Sequence, residues 1–541
     1  MTLLKPMVTR ISQKKIFHYN RTNMTHRNPT KQLKKQNSII DKNQQKTKRR
    51  KNERRAIKIT RPCCFCLMGT VFGVILLATL ATIIGLVATQ AAKTGVTTTQ
   101  TTTTTTSATT STATTATTTT TAEYVDPAFW SFDSNALELY NTGLNGILSG
   151  SPTYTTSFAG YGNAISLTQS SNQYVYIMPT VLPLNSRSFT IEAWIYPIGF
   201  SSSSDYGIFG QCQTLSNDSC LYFLVRTNKL LCGFYNDDIP GSTTLNMSTW
   251  YHVACTYDAT TMAQQVWLDG YLDGSRSANP YQGLWGNTTI GATFQSGSAS
   301  PFNGYIDNVR FQASAKNSSE ILNDATLHAY YSFDGGSLID NGPNGINGTA
   351  YGNLSSTTGR INEAVQFSSG AYMSYSYNPY YFLGITGHAF TMALWAKPTK
   401  NNTAETLIFV GSHLTAWCIY FLAMQSTGQI TANCWSGAGV TTNGPIVPMN
   451  MWTHIGYTYS ITNGLRLYIN GSRYSQTSAF TFVASGVPMS IVLGGNRVVQ
   501  KYNRGSACSP GYGGAFTGVI DEFYVYRREL TAVEILALAN P

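Results

Sequence analysis

Two pairs of carboxylates return at matching places in this chain. Asp133 in "WSFD" answers Asp334 in "YSFD", and Asp307 in "GYIDNV" answers Asp521 in "GVIDEF". Carboxylates that recur with their surrounding phrase suit a hard cation such as Ca2+, which takes roughly 6–8 oxygen ligands. The four therefore form a candidate structural calcium set. The same residue type also anchors turns by accepting backbone N–H groups, and the sequence leaves both roles open. His252 in "WYHV" and His454 in "WTHI" recur as well. A histidine in a catalytic role needs a nucleophile or a ligand partner. No recurrent nucleophile lies near either one in sequence, and no His/Cys spacing fits zinc, so a structural place beside a tryptophan is expected. Glycoside hydrolysis needs two carboxylates flanking the bond. Glu192 is the one candidate on an inner strand, and its counterpart in the second phrase set is Ala393. No catalytic residue is assigned, and the chain is expected not to be an enzyme.

The elements that position these residues are written twice. "FTIEAWIYP" (189–197) matches "FTMALWAKP" (390–398), and "VWLDGYLDGS" matches "LYINGSRYSQ", both 201 residues apart. "CLYFLV" (220–225) matches "CIYFLA" (418–423) at an offset of 198. "TWYHVACTYD" (249–258) matches "MWTHIGYTYS" (451–460) at 202. In-order matches at nearly one offset mark a duplication. Each copy reads as short strands rich in β-branched and aromatic residues, separated by Gly, Asn, Ser and Asp. In "TIEAWIYP" the residues Ile191, Ala193 and Ile195 point one way, and Glu192, Trp194 and Tyr196 the other. Helical periodicity is confined to "SSEILNDA" and "LTAVEILALA", at the ends of the copies.

In this order, "SFD", "NGPNGINGT", "FTIEAWIYP", "W-x-H-V/I", "V/L-W/Y-x-D/N-G" and a closing "G-x-I-D" resemble the laminin G-like domains of the concanavalin A-like lectin/glucanase superfamily, in their LamG-like jellyroll variant. The resemblance implies an all-β chain with two tandem jelly-roll sandwiches, over 123–325 and 326–541. Calcium sites are common in families of this kind. The fold itself says little about a ligand, because one sandwich hosts lectins, adhesion modules and glycanases.

The flanks set the compartment. Residues 1–61 hold 19 Lys/Arg against two acids, while the remainder is mildly acidic. The basicity is thus a tail rather than a nucleic-acid surface, and residues 1–62 are expected to be disordered. Residues 63–88 carry no charge and exceed the roughly 20 residues a bilayer needs. Residues 63–90 therefore read as one membrane helix, with the basic flank cytoplasmic. The expected arrangement is type II, at the plasma membrane, with everything C-terminal outside the cell. Residues 91–122, nearly all threonine, read as a mucin-like stalk. Eight sequons follow, at Asn217, Asn246, Asn287, Asn317, Asn347, Asn353, Asn401 and Asn470.

Seven cysteines lie on the outer side: Cys212, Cys220, Cys232, Cys255, Cys418, Cys434 and Cys508. Disulfides form in such a compartment. One scheme pairs Cys212 with Cys220 and Cys232 with Cys255. A rival pairs Cys220 with Cys232 and Cys418 with Cys434, and Cys508 is a further partner for Cys418. The expected work is recognition of glycans, or of matrix and cell-surface proteins. The rival is a structural coat or adhesion protein with no defined ligand. "SYSYNPYYF" (374–382), with Tyr375, Tyr377, Tyr380 and Tyr381, is the candidate contact loop, its alternative being ordinary sandwich filling.

Overall fold

The short β-branched and aromatic runs pair into two sandwiches in a computed structural model. It describes residues 127–541 apart from 141, 178–181, 183, 202, 285, 369, 401–403, 496–507 and 509–513. The basic tail, residues 63–90 and 91–122, expected to form a membrane helix and a stalk, and the sequon at Asn401 lie outside the described residues. Among the described residues no helix is long and apolar enough to cross a membrane.

The first copy stacks an eight-stranded sheet on a seven-stranded one, and the second stacks two eight-stranded sheets. The strand Phe189–Pro197 is the middle of its sheet, flanked by Tyr251–Asp258 and Gly304–Gln312. In the second copy Phe390–Pro398 sits in the same way between Thr453–Ser460 and Gly518–Tyr526. Each copy closes on itself, because its first strand pairs with its last. Ala128–Trp130 lies along Val309–Phe311, and Leu327–Tyr331 along Phe523–Tyr526.

The predicted alternation holds for the inner face, where Ile191, Ala193 and Ile195 enter the core. The outer face departs from it: Glu192 and Trp194 are buried too. Two things cover them. One is the helix Ser318–Thr326, whose Ile321 packs on Ala254 and Trp267 of the sheet. The other is a pair of side chains on Trp194, Phe158 of the same copy and Arg527 of the second sandwich. Both terminal helices start with a capping box, Asn317 with Glu320 and Thr531 with Glu534. Such a box satisfies two otherwise orphaned backbone N–H groups reciprocally. The strand Leu327–Tyr331 follows the first helix directly, so no free linker separates the copies.

Candidate functional site

The recurring aspartates sit where the closing strand bulges. Asp307 and Asp521 each precede a residue at positive φ, Asn308 (+45°) and Glu522 (+52°), and the strand register shifts there in both copies. Asp307 Oδ2 accepts the Phe158 N–H at 3.4 Å, while Asp133 Oδ1 accepts the Asn163 N–H at 2.7 Å. In the second copy Asp521 Oδ2 accepts from the N–H groups of Arg360 (2.7 Å) and Ile361 (3.0 Å), and Asp334 Oδ1 from Glu363 (3.3 Å). The first and last strands thus clamp one loop from two sides. Burial raises the Asp307 carboxyl well above its ordinary range, and the neighbouring Asp133 adds to this. Burial likewise pushes Asp521 up to about 6. A cation would meet N–H donors at these oxygens, and among the described residues no three His, Cys, Asp or Glu gather as a metal group. The geometry shows all four carboxylates anchoring a loop through backbone N–H groups.

His252 and His454 lie edge-on to Trp194 and Trp395, with ring centroids 5.2 and 5.4 Å apart. Burial lowers His454 to about 4, and neither of its ring nitrogens has a hydrogen-bond partner. The pH consequence has a definite sign. A histidine whose folded pKa is depressed gives stability above its unfolded value of about 6.5, and this is lost as pH falls toward the folded one. We expect His454→Leu to spare the chain about 2 kcal/mol of the loss between pH 6.5 and 5, at roughly 1.4 kcal/mol per pH unit. Thermal melts of both proteins across that range check it, and parallel curves would contradict it.

Glu192 is 1 % exposed and is held by Lys316, whose Nζ lies 2.5 Å from Glu192 Oε2 and 2.5 Å from Asp324 Oδ2. Burial raises its carboxyl while Lys316 draws it down. Sealed under the helix, Glu192 cannot reach a substrate.

The open polar feature lies elsewhere, in a cleft of 640 Å³ at one end of the first sandwich. Its floor is an ion pair that the strand register creates. Asp205 begins one strand, Arg226 ends the next, and the two stand opposite each other. Arg226 donates through Nε to Asp205 Oδ1 at 2.7 Å and through Nη2 to Oδ2 at 2.8 Å. Gln295 donates to Asp205 Oδ2 at 2.7 Å, and Arg226 Nη1 reaches Asp238 at 3.3 Å. Burial acts to raise the Asp205 carboxyl, but Arg226 and Gln295 outweigh it and hold it below its ordinary range. The Thr227–Asn228 turn beside the pair has positive φ at both residues, which suits a two-residue hairpin. The walls are Gln169, Asn172, Ser203, Ser204 and Ser296. Sequence reasoning missed this site because it draws on four separate segments. The only signals were serine-rich loops, "SSSSD" (201–205) and "SGSAS" (296–300).

The second copy does not repeat the pair. Met424 stands where Arg226 does, and its register partner Glu405 is buried, with Oε2 accepting the Thr517 N–H at 3.1 Å.

A laminin G-type family profile, described as the concanavalin A-like lectin/glucanases superfamily, matches residues 168–322 and 367–536, more than half of the chain. The chain belongs to this superfamily. No curated protein matches it by sequence. Among solved structures it is similar to domain 4 of AbnA, a GH43 extracellular arabinanase from Geobacillus stearothermophilus, in complex with arabinotriose. The identity is 22 %, over 39 % of this chain and 98 % of that one, with a TM-score of 0.29. It is also similar to the binding domain of botulinum neurotoxin DC in complex with rat synaptotagmin II, at 14 % identity over 40 % and 52 % of the chains and a TM-score of 0.29. A third is the serotype G binding domain, at 17 % over 39 % and 50 % and a TM-score of 0.28. The match spans about half the length of these neurotoxin structures. At such scores the likenesses carry nothing about what this superfamily member binds.

The remaining predicted positions fall into place in this lectin-type frame. Tyr375 and Tyr380 are not loop contacts. Tyr380 donates to Tyr375 Oη (2.6 Å), Tyr375 to Tyr331 Oη (2.7 Å), and Tyr331 to the Ile346 carbonyl (2.5 Å), all inside the core. Tyr381 receives Arg527 at 2.7 Å, and Tyr377 alone of the four is open, at 66 % exposure. The segment is mainly sandwich filling. Disulfides join Cys212 to Cys220, Cys232 to Cys255, and Cys418 to Cys508, leaving Cys434 buried and free. Cys212 and Cys220 are register partners on adjacent strands, whereas the second bridge ties one sheet to the other. The seven described sequon asparagines are all exposed.

Proposed function

We propose that this chain is a membrane-anchored, extracellular recognition protein that binds glycans without catalysis. The observation that carries the reading is the cleft at the end of the first sandwich, a concave site lined by hydrogen-bonding side chains around a bidentate acid–guanidinium pair. Ligand sites commonly run to about 300–1,000 Å³. The sealing of Glu192 under Lys316 supports a non-catalytic role. The uncharged stretch at 63–88, behind a basic flank, supports a type II anchor. Three disulfides and the exposed sequon asparagines support an extracellular address for the sandwiches.

The test is binding of the purified full-length chain to a glycan array, with and without a chelator. Saturable glycan binding that survives the chelator is the expected result. Self-association without glycan binding would favour the structural-coat alternative. Turnover lost on Glu192→Gln would overturn the non-catalytic reading.

A further inference from the structure

The chemistry of the cleft narrows the kind of glycan it suits. Among its described lining residues Arg226 is the one cation, and three of its five N–H donors are engaged, Nε and Nη2 by Asp205 and Nη1 by Asp238. Asp238 is engaged in turn by the Tyr222 hydroxyl, and Asp205 by Gln295. Lys229 pairs with Arg226 across the hairpin but stands outside the lining. The floor therefore sets two carboxylates against one guanidinium. A sulfate or carboxylate entering it would shed its hydration to meet a guanidinium already shared by two aspartates. Burying a charge without a partner is costly. A cationic ligand would have to displace Arg226 from a bidentate contact, the strong geometry for such pairs.

The walls offer the opposite of charge. Carboxamides such as Gln169 and Asn172 carry both a donor and an acceptor, and the serine hydroxyls do the same. A sugar hydroxyl has the same double character, so a polyhydroxylated neutral ligand can be matched without stranding either group. Aromatic pairs pack behind these walls without lining the cleft. Tyr174 meets Phe294 edge-on with centroids 5.9 Å apart, and Phe200 meets Tyr206 at 5.5 Å.

We infer that the cleft binds an uncharged oligosaccharide. This rests on the cleft being the binding site. Because Asp205 and Arg226 become Glu405 and Met424 in the second copy, with Glu405 buried, one such site is expected per chain.

The experiment compares neutral, sulfated and sialylated oligosaccharides for binding to the full-length chain at low and high salt, beside the double variant Ser203→Trp/Ser296→Trp. Both serines are exposed, so the variant fills the mouth without disturbing the core. The expected result is binding of neutral oligosaccharides, one per chain, insensitive to salt and weakened about tenfold or more in the variant. Binding confined to sulfated or sialylated ligands, and lost in the variant, would overturn the neutral assignment while keeping the cleft. Neutral binding untouched by the variant would overturn the cleft and this assignment together. Binding of neither class would do the same.

Discussion

Replacing Lys316 with alanine is expected to cost the folded chain about 3–5 kcal/mol, the range for stripping one partner from a buried ion pair. Lys316 is the cation between Glu192 and Asp324, and the side chains of Lys316 and Glu192 are almost wholly covered. Without it, Glu192 stays on the middle strand of the sheet beside Asp324, with a neutral His252 at 3.8 Å and the attraction of Arg310, its register partner, as what remains. Burial holds that imidazole down at about 3, so it supplies no compensating charge. The defect has a pH signature. Glu192 already has a raised carboxyl, and a group raised on folding is most favourable below its unfolded pKa and loses that contribution as pH rises. The variant is therefore expected to suffer more at pH 8 than at pH 5. The duplication supplies the control. At the corresponding places the second copy has Ala393, Leu530 and Leu538, and Leu530 and Leu538 pack with Ile535 and Tyr468 in an apolar cluster. Glu192→Ala/Lys316→Leu/Asp324→Leu is expected to recover most of the loss, since well-packed apolar residues often replace buried ion pairs at little cost. Denaturant melts of the single and triple variants decide this. A Lys316→Ala protein within about 1 kcal/mol of wild type would mean the ionic cluster does not hold the helix to the sheet.

The second large effect is expected at the join between the sandwiches. Phe158 stacks on Trp194 with centroids 4.0 Å apart and planes within 5°. The Arg527 guanidinium of the second copy lies 4.5 Å from the same indole and bonds Tyr381. Arg310 reaches the Pro343 carbonyl at 2.5 Å, and Asn308 the Asn344 side chain at 3.2 Å. In the second copy the equivalent indole, Trp395, is covered by that copy's own Arg360 at 4.8 Å. One face has thus been given over to the neighbouring sandwich and its twin has not. Trp194→Ala is expected to cost about 3–5 kcal/mol by removing a large buried ring. It is also expected to split a single calorimetric transition into two, because Trp194 is where first-copy residues enter the core of the second. A wild-type chain that already unfolds in two steps, or a variant that still melts in one, would contradict the coupling.

What was legible in the sequence is what the duplication writes twice. Strand periods, the "LDG" and "ING" turns, the capped helices and the bulged aspartates all recur because each copy must solve the same backbone problem. Glu192 and Lys316 are 124 residues apart and have no echo in the second copy, so their contact had no sequence signal. Spacing allowed two cysteine schemes, and strand register chose between them by setting Cys212 opposite Cys220. Tyr375 and Tyr380 looked like contact residues because a tyrosine-rich run does not reveal that its hydroxyls bond one another in a core. The cleft was hidden for a related reason: Asp205 and Arg226 become partners only once their strands pair.

The most direct measurement is photoaffinity labelling of the full-length chain with a neutral oligosaccharide bearing a photoreactive group, followed by peptide mapping. The account predicts labelling within the cleft segments around Gln169–Asn172, Ser203–Asp205 and Ser296–Pro301, competed away by the unmodified sugar. Competed labelling confined to the second sandwich or to the Tyr377 loop would contradict it.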